Sequence, residues 1–418
     1  WRSLLGFSIP IMISNLVQST YNAVDMLFVG RFTGTESLAA VSVCGPILNV
    51  MIITLSGMSA GVLVVISGLL GAGDIKQAQD AAHTSVALYA LMAAVMTVLG
   101  LLFVPQILRL VQTPAAAMPE AKRYLYTVFA GTVFTFGYNL IGALQRGLGN
   151  AAASMSFVII SSAANIALDA VFIVWLGMGA FGAALGTVLS QVAAFVIGTV
   201  QFARGGAALR LSARAVRFHK KHLKNILLFG VPTALNEVMV NLAMLTVSGV
   251  ANSFGLASSA AYGVGSRINS LAIFTDGAMN QTMSAYASQN IGAGRQKRAL
   301  EGLWKAIILS AGAALGTSLL VLGFASEFSA CFDSDPAVIE QSAAFLRVTV
   351  WSYPLFATVG PLIGFIRGTG NVEASLLVGV VAQLCCRVPA SFLFSRWMGF
   401  PGVGVAVLVG PLVSVSIY

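Results

Sequence analysis

Apolar residues in this chain come in long runs separated by short polar or glycine-rich breaks. Val86–Val104 is one such run, nineteen positions without a charge. A run of about 18 or more apolar residues reads as a membrane-spanning helix. Twelve spans are predicted, at 4–28, 38–68, 82–104, 122–143, 153–175, 180–203, 225–250, 258–287, 303–324, 343–365, 374–394 and 402–418. Several exceed the roughly 20 residues that a bilayer needs, so tilting or bending is expected.

The pattern also repeats. Arg146-Gly147-Leu148-Gly149-Asn150 recurs as Arg367-Gly368-Thr369-Gly370-Asn371, and Gly71-Ala72-Gly73 as Gly292-Ala293-Gly294, both shifted by 221. Pro10 matches Pro232, and Gly177 with Gly182 matches Gly399 with Gly404, shifted by 222. Glycine-rich turns resemble one another by composition, but a constant offset along the whole chain points to duplication. Six spans per half makes both halves enter the membrane from the same side. The predicted fold is therefore an all-α membrane protein: twelve transmembrane helices in two six-helix lobes, related by a pseudo-two-fold axis along the membrane normal. The predicted N-lobe covers 1–203, a basic linker 204–224 and the C-lobe 225–418.

Composition fits a lipid solvent. Of 418 residues, 57% are hydrophobic and only 9% charged, against about 25% charged in soluble domains. The net charge of +9 would suggest nucleic acid in a soluble protein, but here the cations sort by membrane side. With the N-terminus in the cytoplasm, Arg2, Lys76, Arg146, Arg367, four cations in Arg295–Lys305 and seven in Arg204–Lys224 fall inside. Only Arg31, Arg109, Lys122, Arg123, Arg347 and Arg396 fall outside, with an acidic loop around Ala325–Phe345; Arg267 and Arg387 lie within spans. This bias predicts that both termini are cytoplasmic. The linker reads as a solvated, lipid-facing loop. Cys44, Cys331, Cys385 and Cys386 show neither a disulfide framework nor metal-ligand spacing. Trp1–Asn22 is too polar for a signal peptide, and both chain ends are expected to be trimmed.

An intramembrane carboxylate costs about 2.5–3.5 kcal/mol on insertion scales, so it needs a reason. Four are predicted within spans: Asp25, Asp169, Glu237 and Asp276. Asp25 and Asp169 lie roughly 7–11 Å below the outer ends of their helices, and Thr187 roughly 12 Å down the sixth. Asn165 is i−4 from Asp169 and shares its face. Two carboxylates with neutral oxygens suit a proton relay or a hard monovalent cation such as Na⁺; simple packing by hydrogen bonds is the competing reading. The repeat maps Asp25 to Thr246 and Asp169 to Ala390 or Ser391, so the second half lacks these carboxylates. Glu237 and Asp276 fall near mid-membrane, where they could bind a cationic substrate or compensate Arg267. Pro10, fifteen residues before Asp25, predicts a bend in the first span, either a hinge or a static kink. No Walker loop, zinc-ligand histidine cluster or nucleophile elbow occurs. The chain does not read as an enzyme, and no cofactor beyond a coupling ion is implied.

Pro10, Tyr21-Asn22-Ala23-Val24-Asp25, Gly30, Arg146–Asn150, Asn165-Ile166-Ala167-Leu168-Asp169 and Gly182-Ala183-Ala184-Leu185-Gly186-Thr187 together resemble the multidrug and toxic compound extrusion (MATE) family, in particular its archaeal and DinF-like branch. The resemblance spans essentially the whole chain. It implies a twelve-helix exporter moving lipophilic, often cationic small molecules outward against inward H⁺ or Na⁺. It implies an N-lobe ion site of Asp25, Asn165, Asp169 and Thr187, a neighbouring polar network of Gln18, Tyr124 and Asn139, and a kink at Pro10. The expected partners are small organic substrates and the lipid bilayer, not nucleic acid, and a monomer is expected. The NorM-like branch places acidic residues on the seventh and tenth helices; here the tenth span has none, and Glu237 lies closer to its proline. The N-lobe site is therefore favoured, with Glu237 and Asp276 a candidate C-lobe substrate site. A flippase of lipid-linked sugars from the same superfamily should favour cationic cavity residues, and the spans offer only Arg267 and Arg387 against four carboxylates. A channel or receptor would need no coupled carboxylate pair.

Overall fold

The structure, a computed structural model, describes residues 1–205 and 209–418. Part of the predicted linker, 206–208, lies outside the described residues. The described chain is helical, without strands. The first six spans are α1 (Arg2–Phe32), α2 (Thr35–Gly71), α3 (Ile75–Leu110), α4 (Met118–Gly147), α5 (Ala151–Asp169, continuing as a π-helical stretch Ala170–Trp175) and α6 (Gly179–Arg204). The last six are built from α7 (Lys220–Asn252), α8 (Leu256–Ala272), α9 (Phe274–Gly292), α10 (Gln296–Gly323), α11 (Ala325–Ala330), α12 (Pro336–Thr349), α13 (Tyr353–Thr369), α14 (Val372–Gly379), α15 (Val388–Met398) and α16 (Phe400–Ile417).

Ten of the described helical segments are long and apolar enough to cross a membrane on composition alone. Helix α1 falls short because Ser14, Asn15, Gln18 and Asn22 interrupt its apolar run. The expected span 258–287 falls short because it is divided at Ile273 into α8, too short at 17 residues, and α9, too polar along its 19. These two polar spans carry Asp25 and Asp276. The expected span 343–365 is also divided: a 3₁₀ turn, Val350–Ser352, precedes Pro354 in the first turn of α13, where a missing N–H costs nothing. The predicted loop at Ala325–Phe345 is instead mostly helical. It folds as α11 and the start of α12, and the carboxylate of Asp335 accepts the Ala337 N–H to cap α12.

Two compact units are present, Leu5–Gly230 and Val231–Tyr418 with Trp1–Leu4. In the first, α4 packs between its neighbours through glycine. A Cβ at Gly131 would lie 2.5 Å from Val188, and one at Gly137 2.5 Å from Phe195, both on α6. The start of α7 belongs to this unit because it crosses α2 at Gly61, where a Cβ would meet the Ile226 carbonyl at 2.5 Å. In the second unit, Gly360, Gly364 and Gly368 on α13 form a stripe four residues apart. Cβ atoms there would sit 2.3 Å from Asp276 Oδ1, 2.3 Å from the Asn280 carbonyl and 2.7 Å from Ala287 Cβ of α9. Lipid tails are as apolar as leucine, so such small-residue contact, rather than hydrophobic burial, holds membrane helices together.

The repeated motifs do the same work in both units. Gly149 and Gly370 take φ of +82° and +98°, the left-handed conformation that ends a helix at glycine. Asn150 and Asn371 then start the next helix, accepting the N–H of Ala153 and Ala374. Arg146 and Arg367 each reach a serine eight residues on, at Ser154 (3.0 Å) and Ser375 (3.3 Å). The offset steps from 221 at Asn371 to 222 at Gly399. Over that interval the second unit carries the longer π-helical stretch, Val380–Arg387, and a π bulge absorbs an extra residue without ending the helix.

Candidate functional site

Asp25 stands on α1 and Asp169 on the last α-helical turn of α5, immediately before the π-helical Ala170–Trp175. π turns interrupt the regular hydrogen-bond ladder and recur at functional positions. The two carboxyl groups come within hydrogen-bonding reach of each other. Asp169 is fully buried, and Asn165, one turn earlier, is 1% exposed. Asp25 Oδ1, both oxygens of Asp169, and Oδ1 and Nδ2 of Asn165 are buried without a hydrogen-bond partner among the described residues. Buried polar atoms are almost always satisfied, and each exception asks for an explanation such as an ion or proton. Two facing acceptors need a donor or a cation between them, and among the described residues no hydrogen bond reaches these oxygens. The donor set is oxygen-rich and anionic, chemistry that suits a proton or a hard monovalent cation.

Helix α6 closes the site with Gly186, whose missing side chain leaves room for Asp169: a Cβ there would stand 2.3 Å from Asp169 Oδ1. Thr187, the next residue, is half-buried, and its carbonyl accepts the Ser190 hydroxyl at 2.8 Å. The Tyr124 hydroxyl, on α4, lies in electrostatic reach of both carboxyls. Gln18, one helical turn before Tyr21 on α1, lines the same cleft as the Tyr21 ring. Asn139 sits apart: its amide donates to the Thr135 carbonyl at 2.8 Å and engages Tyr138. Pro10 lies within an uninterrupted α1, and its carbonyl accepts the Ser14 hydroxyl at 2.8 Å.

A small, partly open cleft, with room for little more than a water molecule, is lined among others by Gln18, Tyr21, Tyr138, Ser161, Asn165 and Gln191. Asn165 thus lines the cleft and stands one turn from Asp169 on the same face of α5. Sequence reasoning missed Tyr21, Gln191 and Gly186. Tyr21 is i−4 from Asp25 and Gln191 is i+4 from Thr187, so helical spacing alone could have found both.

At the repeat-related positions of the second unit, Thr246 and Ser391 bond carbonyls of their own helices, Leu242 and Val388. That unit has a different polar cluster. Glu237 on α7, Asp276 on α9 and Arg367 on α13 lie in mutual electrostatic reach, and Asp276 Oδ1 is buried without a hydrogen-bond partner among the described residues. The predicted compensating cation, Arg267, is exposed instead. Arg367, read from sequence as a loop cation, is the buried one: it is 5% exposed and also reaches Asn280 Oδ1 at 3.5 Å. The reason is its place in the last turn of α13, where the glycine stripe draws it against α9. Arg387 is buried as its span placement implies, donating to Gln383 Oε1 at 3.1 Å.

Comparison with protein families matches the MatE family over residues 10–171 and again over 232–393. The chain belongs to the MATE family. The family is one of transporters, not enzymes, and the two matched stretches begin at the repeat-related prolines, Pro10 and Pro232. The chain is 27% identical over 406 residues to the probable multidrug resistance protein YpnP of Bacillus subtilis, covering 97% of this chain and 91% of that one. It is 23% identical over 410 residues to the multidrug export protein MepA of Staphylococcus aureus, covering 98% and 90%. It superposes with a TM-score of 0.92, at 25% identity, on an outward-facing conformation of a multidrug resistance MATE family transporter of the MOP superfamily, covering 99% of this chain and 93% of that one. This MATE transporter is a multi-pass membrane protein.

Proposed function

We propose that this MATE protein is a multidrug efflux antiporter that exports lipophilic, often cationic small molecules in exchange for inward H⁺ or Na⁺. The observation that carries the reading is the facing pair Asp25–Asp169, buried with orphaned oxygens beside an orphaned Asn165. The likeness to YpnP, a probable multidrug resistance protein, and to MepA, a multidrug export protein, supports the substrate class. Asp25, Asn165, Asp169 and Thr187 form the ion-coupling site, with Gln18 and Tyr124 as its polar surroundings and Asn139 in the same network further off. Two ionised carboxylates in one dehydrated cleft repel each other. A proton or Na⁺ relieves that repulsion, and so does the positive charge of a cationic drug brought near the pair. The two therefore compete for one negative charge, as antiport requires. Ion loading lets α1 rebend at Pro10, and Glu237 with Asp276 contributes to substrate selection in the second unit. The protein works as a monomer in the inner membrane with both termini cytoplasmic.

The test is counterflow of a fluorescent cationic dye in proteoliposomes, with a proton or a sodium gradient imposed alone. Gradient-driven export that Asp25→Asn and Asp169→Asn each abolish supports the reading. Gradient-independent equilibration of the dye contradicts antiport and points to a channel.

A further inference from the structure

The stretch between α6 and α7 carries seven cations, Arg204, Arg210, Arg214, Arg217, Lys220, Lys221 and Lys224. Side selection during insertion asks only that such charges be present. It does not ask that the backbone bearing them be fixed, yet here the described part of the segment is pinned along the first turns of α3. The Arg210 N–H donates to Gln79 Oε1 at 2.7 Å, the Ser212 N–H to His83 Nε2 at 3.4 Å and the His219 N–H to the Thr84 hydroxyl at 3.2 Å. Lys221 Nζ donates to Gln77 Oε1 at 2.7 Å. Local carboxylates are already engaged. Asp74 caps α3 through the Gln77 N–H, which with the Gln77 side chain holds its carboxyl below the ordinary range, and Asp80 faces His219 at 3.6 Å.

That leaves Arg204, Arg210, Arg214, Lys220 and Lys224 exposed, with no ion pair to a carboxylate among the described residues. Two large apolar side chains project beside them, Phe218 at 47% exposure and Ile75 at 53%, with Lys76 exposed next to Ile75. The segment joins the ends of two membrane spans, so it lies at the bilayer surface. Cations at headgroup depth flanked by an outward aromatic match an anionic phospholipid: phosphates pair with the cations, and the ring rests at the acyl boundary. We propose that this strap, held on α3 by Gln79, His83 and Thr84, is a preorganised binding surface for anionic phospholipid headgroups. The inference depends on the membrane-spanning fold and not on the transport reading, since every residue it uses lies outside the carboxylate site.

Native mass spectrometry of the purified full chain, titrated with an equimolar mixture of phosphatidylglycerol and phosphatidylcholine, tests it. Wild type is expected to retain phosphatidylglycerol roughly tenfold more tightly, since each basic residue near an anionic surface contributes up to about fivefold. The variant Arg210→Gln/Arg214→Gln/Lys220→Gln/Lys224→Gln is expected to lose that preference while keeping the wild-type Tm in phosphatidylcholine. Arg210→Lys/Arg214→Lys keeps the charge and should keep the preference. Should the fourfold variant misfold, wild type alone decides. Raising salt from roughly 0.05 to 0.5 M shortens the Debye length about threefold and should erase most of the preference. Equal retention of the two lipids by wild type, a preference indifferent to salt, or tighter binding of a short RNA or acidic peptide than of phosphatidylglycerol would overturn the proposal.

Discussion

Gly186 and Asp169 are matched: a single Cβ on Gly186 would lie 2.3 Å from Asp169 Oδ1, a distance no real contact tolerates. The glycine therefore sets where the carboxylate can stand. Gly186→Ala should displace Asp169 from its place opposite Asp25 without touching any charge. Misplacing a reacting group by about 1 Å can cost up to ~10²-fold, so gradient-driven dye efflux in proteoliposomes is expected to fall by roughly tenfold or more. Wild-type efflux from Gly186→Ala would show that the carboxylate's placement is not critical.

The α9–α13 contact gives a prediction about stability alone. Gly364→Ala sets a Cβ against the Asn280 carbonyl, which cannot swing aside as a flexible side chain would. Overpacking of this kind typically costs about 1–3 kcal/mol, so Tm should fall by several degrees. Gly312 on α10 has nothing within 4 Å of a built Cβ. Gly312→Ala should leave Tm unchanged or raise it, because alanine is the better helix former. A thermal-shift assay of the two purified variants separates them.

The buried cation of the second unit should matter more than the exposed one. Arg367→Met removes the positive charge in reach of Glu237 and Asp276, and an uncompensated buried charge costs about 3–5 kcal/mol. Arg267→Met removes an exposed charge and should cost less than about 1 kcal/mol. Adding Asp276→Asn to Arg367→Met should restore part of the lost Tm. Equal effects of the two arginine variants would show that the cluster contributes no stability.

Topology is testable by labelling. Ser334, before α12, and Ser212, in the strap on α3, are both exposed. In the proposed orientation a membrane-impermeant thiol reagent applied from outside should label Ser334→Cys and miss Ser212→Cys, in a background with the four native cysteines replaced. The reverse pattern would invert the orientation.

Much of the fold was legible because lipid imposes a simple rule: every span must be a helix of about 20 apolar residues. The repeat was legible because its signals are backbone devices, left-handed Gly149 and Gly370 and the capping Asn150 and Asn371. The break at Ile273 and the division before Pro354 were not, since apolar periodicity continues through both. Asp25, Asn165 and Asp169 stood out because polar groups in lipid are costly and two of them share a helix face. Gly186 did not: glycine is common in membrane helices, and only the approach of α5 gives this one its role. Arg367 was hidden by its position at a helix end, where a cation usually reaches water.

The central claim is that Asp25 and Asp169 act as one coupled ion site. Its most direct measurement is dye efflux driven by an imposed gradient in proteoliposomes holding Asp25→Asn or Asp169→Asn, each checked for wild-type Tm and membrane incorporation. Each variant keeps the shape and loses the charge that a proton or Na⁺ would neutralise. Both variants are expected to fold, insert and lose gradient-driven efflux. Wild-type efflux from either one would contradict it and leave the pair a packing feature of α1 and α5.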